Sequence, residues 1–180
     1  MNLLYQTPNQ STPERELPHG QRPLPVVGYR SWKLWQTAGG VTLKSLYKSG
    51  HWPVGVTRAR CLHCAAWMVN QHPVPNLSCE CGLYAFSTPV EAARKIEQPL
   101  GAVSGASDQP VSVWGAVVGW GRLIQHGSQG WRAQYARPVA LLDSGHALLE
   151  TAAARYGVPL LPWSGVQMVA REHGQPLTET

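Results

Sequence analysis

The residues of this chain best suited to chemistry are its cysteines, which lie close together in sequence. There are four of them: Cys61, Cys64, Cys79 and Cys81. His63 and His72 lie in the same stretch, which ends near Ala85. The amino end has no basic region followed by an apolar run, so it does not resemble a secretory signal. Clustered cysteines in such a chain are more typical of a metal site than of disulfides, and we predict bound zinc.

The spacing leaves two candidates for the fourth ligand of this site. Cys61, Cys79 and Cys81 are common to both ligand sets. Cys64 completes one set, because a pair of thiolates separated by two residues is the usual first half of a zinc knuckle. His72 completes the other, since imidazole is an equally suitable donor for tetrahedral zinc. The spacing alone does not choose between them.

We expect the zinc to be structural, because four protein ligands leave no coordination position for water. Glu80 is the nearest candidate for a general base, but it stands between two ligands. The H-x-E and P-C-x-x-C pattern of zinc deaminases is absent. His63 is a weaker ligand candidate because it lies inside the turn after Cys61. The alternatives are free cysteines, disulfides and an iron–sulfur cluster.

Several short motifs resemble those of a family of small bacterial proteins with no established activity. The family pattern is C…H-x-x-P…C-x-C-G-x-Y-A, then W-G-x-V…G-W/Y-R-A-x-x-A-x-P, then Y-G-V-P. In the first motif the matching positions are Cys61, His72, Pro75, Cys79, Cys81, Gly82, Tyr84 and Ala85. In the second they are Gly119, Trp120, Gly121, Gly130, Trp131, Arg132, Ala133, Ala136 and Pro138. The resemblance covers roughly residues 28–160 and implies that His72, rather than Cys64, is the fourth ligand.

Basic and acidic residues are distributed unevenly along the chain. The 63 residues between Glu16 and Glu80 contain no acidic side chain. The same interval contains Trp32, Trp35 and Trp52, and cations interleaved with aromatic rings are typical of a nucleic-acid surface. The candidate contacts are Arg30, Lys33, Lys44, Lys48, Arg58 and Arg60. The alternative is an ordinary solvated face with core tryptophans, whose cations offset the charge of a thiolate–zinc centre.

Composition and local patterns predict an α+β fold. Only 14% of the 180 residues are charged, and 18 glycines and 15 prolines favour strands and ordered loops over a helical bundle. We predict a curved antiparallel β-sheet or small barrel, with a zinc-knuckle insertion and two or three short helices. No apolar run is long enough to cross a membrane, so we expect a cytoplasmic protein.

The chain divides into an arm, one domain and a tail. Residues 1–25 are predicted to be a disordered or extended arm, residues 26–163 a single β-rich zinc-binding domain, and residues 164–180 a short helix and frayed tail. The predicted strands are 28–35, 41–48, 111–126 and 131–142. The predicted helices are 88–98, which begins with a capping box, then 145–156 and 166–173.

No catalytic motif accompanies the metal site. The sequence has no P-loop, no nucleophile elbow and no H-E-x-x-H. Arg132 falls in a predicted strand, where we expect a rim charge whose stem covers the sheet. We therefore favour a non-enzymatic module, stabilised by zinc, that contacts nucleic acid through residues 22–60. The alternatives are a protein–protein adaptor or scaffold subunit and, after it, a metal-dependent enzyme.

Overall fold

The computed structural model describes residues 14–16, 25–46, 50–61, 72–89 and 111–177. The predicted contact residue Lys48, the candidate ligands His63 and Cys64, and most of the predicted helix 88–98 lie outside these ranges.

Within the described ranges, ten strands form one sheet and two helices pack on it. The strands are β1 (Glu14–Glu16), β2 (Val26–Thr37), β3 (Gly40–Ser45), β4 (His51–Trp52), β5 (Thr57–Arg58), β6 (Leu83–Phe86), β7 (Ser112–His126), β8 (Gly130–Leu142), β9 (Leu160–Leu161) and β10 (Gln175–Pro176). The helices are α1 (Leu148–Tyr156) and α2 (Trp163–His173). The mostly strand content and the two helices agree with an α+β fold.

Four strands close a ring of pairings at the centre of the sheet. β2 pairs with β7, β7 with β8, β8 with β6, and β6 with β2, all antiparallel. The sheet as a whole is mixed rather than purely antiparallel, because β9 runs parallel to β8 and β10 runs parallel to β2. These parallel strands have two residues each, too short for a periodic sequence pattern to indicate them.

The predicted long hairpin is β7 and β8, and glycines shape it. The β7–β8 register shifts between Trp120 and Leu123, and Gly121 has a φ of +80°, which a residue with a side chain rarely adopts. At Gly119, an added Cβ would lie 2.4 Å from the Trp131 ring. The small residue therefore lets the buried indole lie against the neighbouring backbone.

The two helices cover different parts of the sheet. Helix α1 begins at Leu148, later than predicted, because the Asp143 carboxylate accepts the Gly145 N–H in a local turn instead of capping the helix. It ends at Gly157, whose φ of 61° is the left-handed conformation typical of a helix C-cap. Helix α2 buries Val166 and Ala170 against the sheet.

The two ends of the described chain also pair with the sheet. β1, inside the predicted arm, pairs antiparallel with the end of β7. β10, in the part predicted to fray, pairs with Val26 and Val27 of β2. Val166 and Ala170 of helix α2 share one hydrophobic cluster with strand residues such as Val27 and Val118, so residues after 163 contribute to the same core as the sheet.

Candidate metal centre

The candidate metal-binding segment is an excursion from one edge of β8. β5 pairs with β8 at Tyr135 and Ala136, and the Ala59 N–H continues this line by donating to the Gln134 carbonyl. Further along the same edge β6 pairs with β8, and its first residue, Leu83, lies opposite Ala133. Since both strands run antiparallel to β8, they follow one line along its edge. Cys61 lies directly after β5 and residues 72–82 lie directly before β6, so donors at the two ends of the excursion lie close together.

Four donor side chains meet where the excursion leaves and returns. They are Cys61, His72, Cys79 and Cys81, whose ligand atoms all lie within 4.8 Å of one another. The Sγ atoms of Cys61 and Cys79 are 3.6 Å apart. That is far longer than a disulfide bond. It is close to the ~3.8 Å expected between two thiolates bound to one tetrahedral metal ion. The four residues can therefore hold a metal ion.

The imidazole of His72 is oriented to offer one particular nitrogen. Its Nδ1 lies 2.8 Å from the carbonyl oxygen of Pro73, which can only accept a hydrogen bond. This contact places the proton on Nδ1 and is the main reason that the pKa of His72 is raised above its ordinary value. Nε2 is buried, and the neighbouring thiols of Cys61 and Cys79 also raise the pKa of His72. Such an arrangement, with Nδ1–H bound to a carbonyl and the ring beside sulfur donors, is typical of a metal-ligating histidine.

A tight turn fixes the spacing of the sulfur donors. The Asn76 side chain accepts the Ser78 N–H at 2.9 Å, and the Asn76 carbonyl accepts the Cys79 N–H at 3.0 Å. After Cys81 the chain turns at Gly82, whose φ is +134°. An added Cβ at this glycine would lie 3.0 Å from the Cβ of Arg132. Glycine is therefore required here both by conformation and by space.

Cys81 is the most buried of the four donor residues. The residue is 4% exposed. Burial, followed by the neighbouring thiol of Cys79, raises the pKa of Cys81 to about 12. A bound cation acts in the opposite direction, because it stabilises the thiolate and displaces the proton. The site is therefore suited to a positive ion and not to free thiolates.

Arg132 is a buried part of this site, and the prediction of a rim charge was wrong. The side chain is 1% exposed. Its Nη1 donates to the carbonyl oxygens of Cys79 and of Cys81, the second at 3.1 Å. The family motif includes Arg132 but gives no role for it. Strand alternation could not show which residues cover this side of β8.

The aromatic ring of Tyr84 lies beside the Arg132 guanidinium. The guanidinium of Arg132 lies 5.9 Å from the ring of Tyr84, its cross-strand neighbour on β6. The Tyr84 hydroxyl donates to the Glu80 carbonyl at 2.7 Å. On its other side, the Tyr84 ring stacks on His126 with centroids 5.5 Å apart. The carbonyls of three successive residues of the turn, 79–81, are therefore held by side chains of the sheet.

The predicted nucleic-acid contacts do not form one surface. Lys33 and Lys44 lie directly opposite each other on β2 and β3, on the same face as Trp35. Arg30 lies on the other face of β2 and packs against Trp32 and Trp52, with its guanidinium 4.4 Å from the Trp52 ring. Arg30 therefore lies on the opposite face of β2 from the two lysines, and its role as a nucleic-acid contact stays a prediction.

Arg58 and Arg60 form a second exposed group, immediately before Cys61. Arg58 lies opposite Tyr135, whose ring stacks on Trp120 with centroids 6.1 Å apart. This row of half-buried rings was not predicted, because it joins three strands that are distant in sequence. Within the part of the chain that the structure describes, neither arginine forms an ion pair, and the same holds for Lys33 and Lys44.

Comparison with known proteins was made with family profiles, curated sequences and solved structures. No family profile matches the chain, and neither a curated protein nor a solved structure does. The resemblance to the bacterial family therefore stays a prediction. Among the helices of the described residues, none is long and apolar enough to span a membrane.

Proposed function

We propose that this protein is a non-enzymatic module that binds nucleic acid and is stabilised by a structural zinc ion. The observation that carries the proposal is the exposed face of the β2–β3 hairpin. There an exposed tryptophan, Trp35, lies beside the cross-strand pair of Lys33 and Lys44. These are the two kinds of group that a nucleic-acid surface needs, positive charge for phosphates and a flat ring for bases.

Zinc is supported as the metal by the type and number of donors. Three sulfurs and one imidazole form a typical closed tetrahedral zinc set, and such sites are structural because no position remains for water. Cys61, His72, Cys79 and Cys81 would hold the ion. Zinc bound there supplies a cross-link between three separated parts of the excursion. The ion would stabilise the fold by linking the segments that follow β5 and precede β6 at the edge of β8.

Trp35 is supported as a stacking residue by its exposure and by its neighbour. It is 44% exposed, which is unusual for a residue that could have been buried in a core. The Nζ of Lys44 lies 4.5 Å from its ring centroid. A base stacked on such a ring contributes about 1–3 kcal/mol, and the adjacent ammonium is placed to contact the phosphate of the same nucleotide.

Arg58 and Arg60 form a second exposed positive group, apart from the β2–β3 hairpin face that carries Lys33 and Lys44. Lys33 lies opposite Ser112 at the start of β7, and Arg58 lies in the row that contains Trp120 of the same strand. Eight residues of extended strand separate Ser112 from Trp120, or roughly 27 Å. A single strand of several nucleotides can reach both groups, whereas a mononucleotide cannot.

The test is a titration of the zinc-loaded protein with single- and double-stranded DNA and RNA at two salt concentrations. Wild type should bind with an affinity that falls as salt rises, and the K33E/K44E variant should flatten this salt dependence by about two phosphate contacts. W35A should weaken binding without changing the slope. R171E is the matched control, since Arg171 is an exposed cation on helix α2.

Three results would contradict the proposed function or favour an alternative to it. Absence of binding to every nucleic acid at low salt would overturn the proposal. Salt-insensitive association with a protein, unchanged in K33E/K44E, would favour the adaptor alternative. An open coordination position in metal-edge spectroscopy would favour a metal-dependent enzyme, because a catalytic zinc keeps a place for water or substrate.

A further inference from the structure

Arg132 is a charged side chain in a place where charges are costly. It lies near the start of β8, between Ile124 on β7 and Tyr84 on β6, and is 1% exposed. A guanidinium stays protonated at any ordinary pH, so it cannot reduce the cost of burial by losing its proton. A buried charge of this kind is tolerated only where hydrogen-bond acceptors or an opposite charge compensate for it.

Part of this compensation comes from the backbone of the candidate metal ligands. Nη1 of Arg132 donates to the backbone carbonyls of Cys79 and Cys81. Both residues place their sulfurs in the donor cluster. The carbonyls are presented to Arg132 only while the turn 76–81 keeps its shape. The cluster of ligands and the cation of the sheet are thus joined through the backbone of the same turn.

The net charge expected at the metal centre also favours an interaction between that centre and Arg132. Three thiolates and a neutral imidazole on a divalent ion leave one net negative charge at the centre. The guanidinium carries one positive charge and lies directly behind two of the three thiolate residues. In a poorly solvated site the attraction between the loaded centre and this cation is stronger than it would be in water.

We infer that Arg132 is a positioning residue that couples occupancy of the metal centre to the stability of the β-sheet. This inference rests on the proposed metal site. With metal bound, the turn is fixed and Arg132 has both its acceptors and an opposite charge. Without metal, the turn loses its cross-link, and the sheet retains a buried cation with weaker compensation. Metal binding therefore stabilises the sheet beyond the cross-link itself.

The experiment measures zinc affinity by competition with a chromophoric chelator in R132M, R132K and wild type. R132M keeps the bulk without the charge and should bind zinc about 10- to 100-fold more weakly, as is usual for loss of a group behind a metal ligand. R132K keeps the charge but not the planar fork, so it should be several-fold weaker than wild type and tighter than R132M. R137M, at a half-buried arginine on the same strand, is the control and should equal wild type.

A second readout separates positioning from a merely structural effect. In the cobalt-substituted protein, the thiolate-to-metal charge-transfer bands should move to lower energy in R132M, since loss of a nearby cation makes the thiolates easier to oxidise. They should move less in R132K, which retains the charge. The rise in melting temperature on adding zinc should also be smaller in R132M than in wild type, because weaker binding gives less stabilisation.

The possible outcomes distinguish a failure of the inferred role of Arg132 from a failure of the proposed metal site. Failure of wild type to bind zinc or cobalt removes the metal centre, and the inference with it. Zinc-binding wild type together with a folded R132M of equal affinity and unchanged cobalt spectrum overturns the role of Arg132 alone. If R132M does not fold, R132K decides: wild-type affinity and an unmoved spectrum in that variant contradict the inference.

Discussion

Lys33 lies directly opposite Lys44 in the antiparallel register of β2 and β3, so two like charges face each other across one pair of strands. Directly opposed like charges destabilise a sheet, and an opposite-charge pair at the same positions would stabilise it by roughly 0.2–1 kcal/mol relative to a neutral pair. Two facing lysines also concentrate positive charge on the face that we propose meets phosphates.

The first prediction separates stability from binding at this pair. K44E should raise the free energy of unfolding by up to about 1 kcal/mol, because it replaces repulsion by attraction across the hairpin. The same variant should bind single-stranded nucleic acid more weakly. Urea denaturation and a binding titration on one preparation measure the two effects. A control is K33E/K44E, which restores like charges and should lose the gain in stability; a K44E protein that is both more stable and equally tight would contradict the prediction.

The second prediction concerns the close approach of β7 and β8. G119A should destabilise the protein by about 1–3 kcal/mol, because the new methyl group would overlap the buried Trp131 ring. Gly39 provides the matched control. It is exposed in the β2–β3 turn, and an added Cβ there meets its nearest atom, Oγ1 of Thr37, at 3.8 Å. Thermal unfolding should leave G39A near wild type, and equal melting temperatures for both variants would count against this packing.

The third prediction concerns the hydroxyl that joins α1 to the edge of the sheet. The Leu43 N–H donates to the Tyr156 oxygen at 2.9 Å, and this hydroxyl donates to the Trp52 carbonyl at 2.5 Å. Y156F leaves a buried donor and a buried acceptor without their partner, so unfolding should become easier by about 1–3 kcal/mol. Y135F removes a half-buried hydroxyl and should change stability by no more than about 0.5 kcal/mol. Denaturant midpoints for the two variants make the comparison, and a larger loss in Y135F would reverse the expectation.

Part of the metal centre could be read from sequence because its ligands are local. Cys79, Cys81 and the turn glycine Gly82 lie next to one another, and the chemistry of sulfur donors depends little on the rest of the fold. Arg132 could not be read in this way. Whether a charged strand residue points to solvent or to a buried turn depends on what packs against its face, and that is decided by β6, which is about fifty residues earlier in the chain.

The same limit applies to the basic stretch. Alternation placed Arg30 and Lys33 on opposite faces of β2. The sequence did not show how far each face is buried: Trp32, on the face of Arg30, lies in one core cluster, and Tyr29, on the face of Lys33, lies in another. The register of β2 with β3 places Lys44 opposite Lys33. Alternation is compatible with this pairing but does not determine it. The shortest strands, β9 and β10, have no local signal, since pairing with distant strands defines them.

The last prediction tests the metal centre through its fourth ligand. H72A should lower the zinc content from about one ion per chain and lower the melting temperature, because Nε2 of His72 lies in the donor cluster while Nδ1 is held by Pro73. C64A should retain its zinc if His72 completes the site. H146A is the control for zinc content alone, since His146 is exposed and lies outside the cluster but accepts the Leu148 N–H at the start of α1. Elemental analysis after exhaustive dialysis, with thermal unfolding before and after a chelator, measures the effect. Full zinc content in H72A together with zinc loss in C64A would transfer the fourth position to Cys64, and undiminished stability of the chelated wild type would show that the metal does not support the fold.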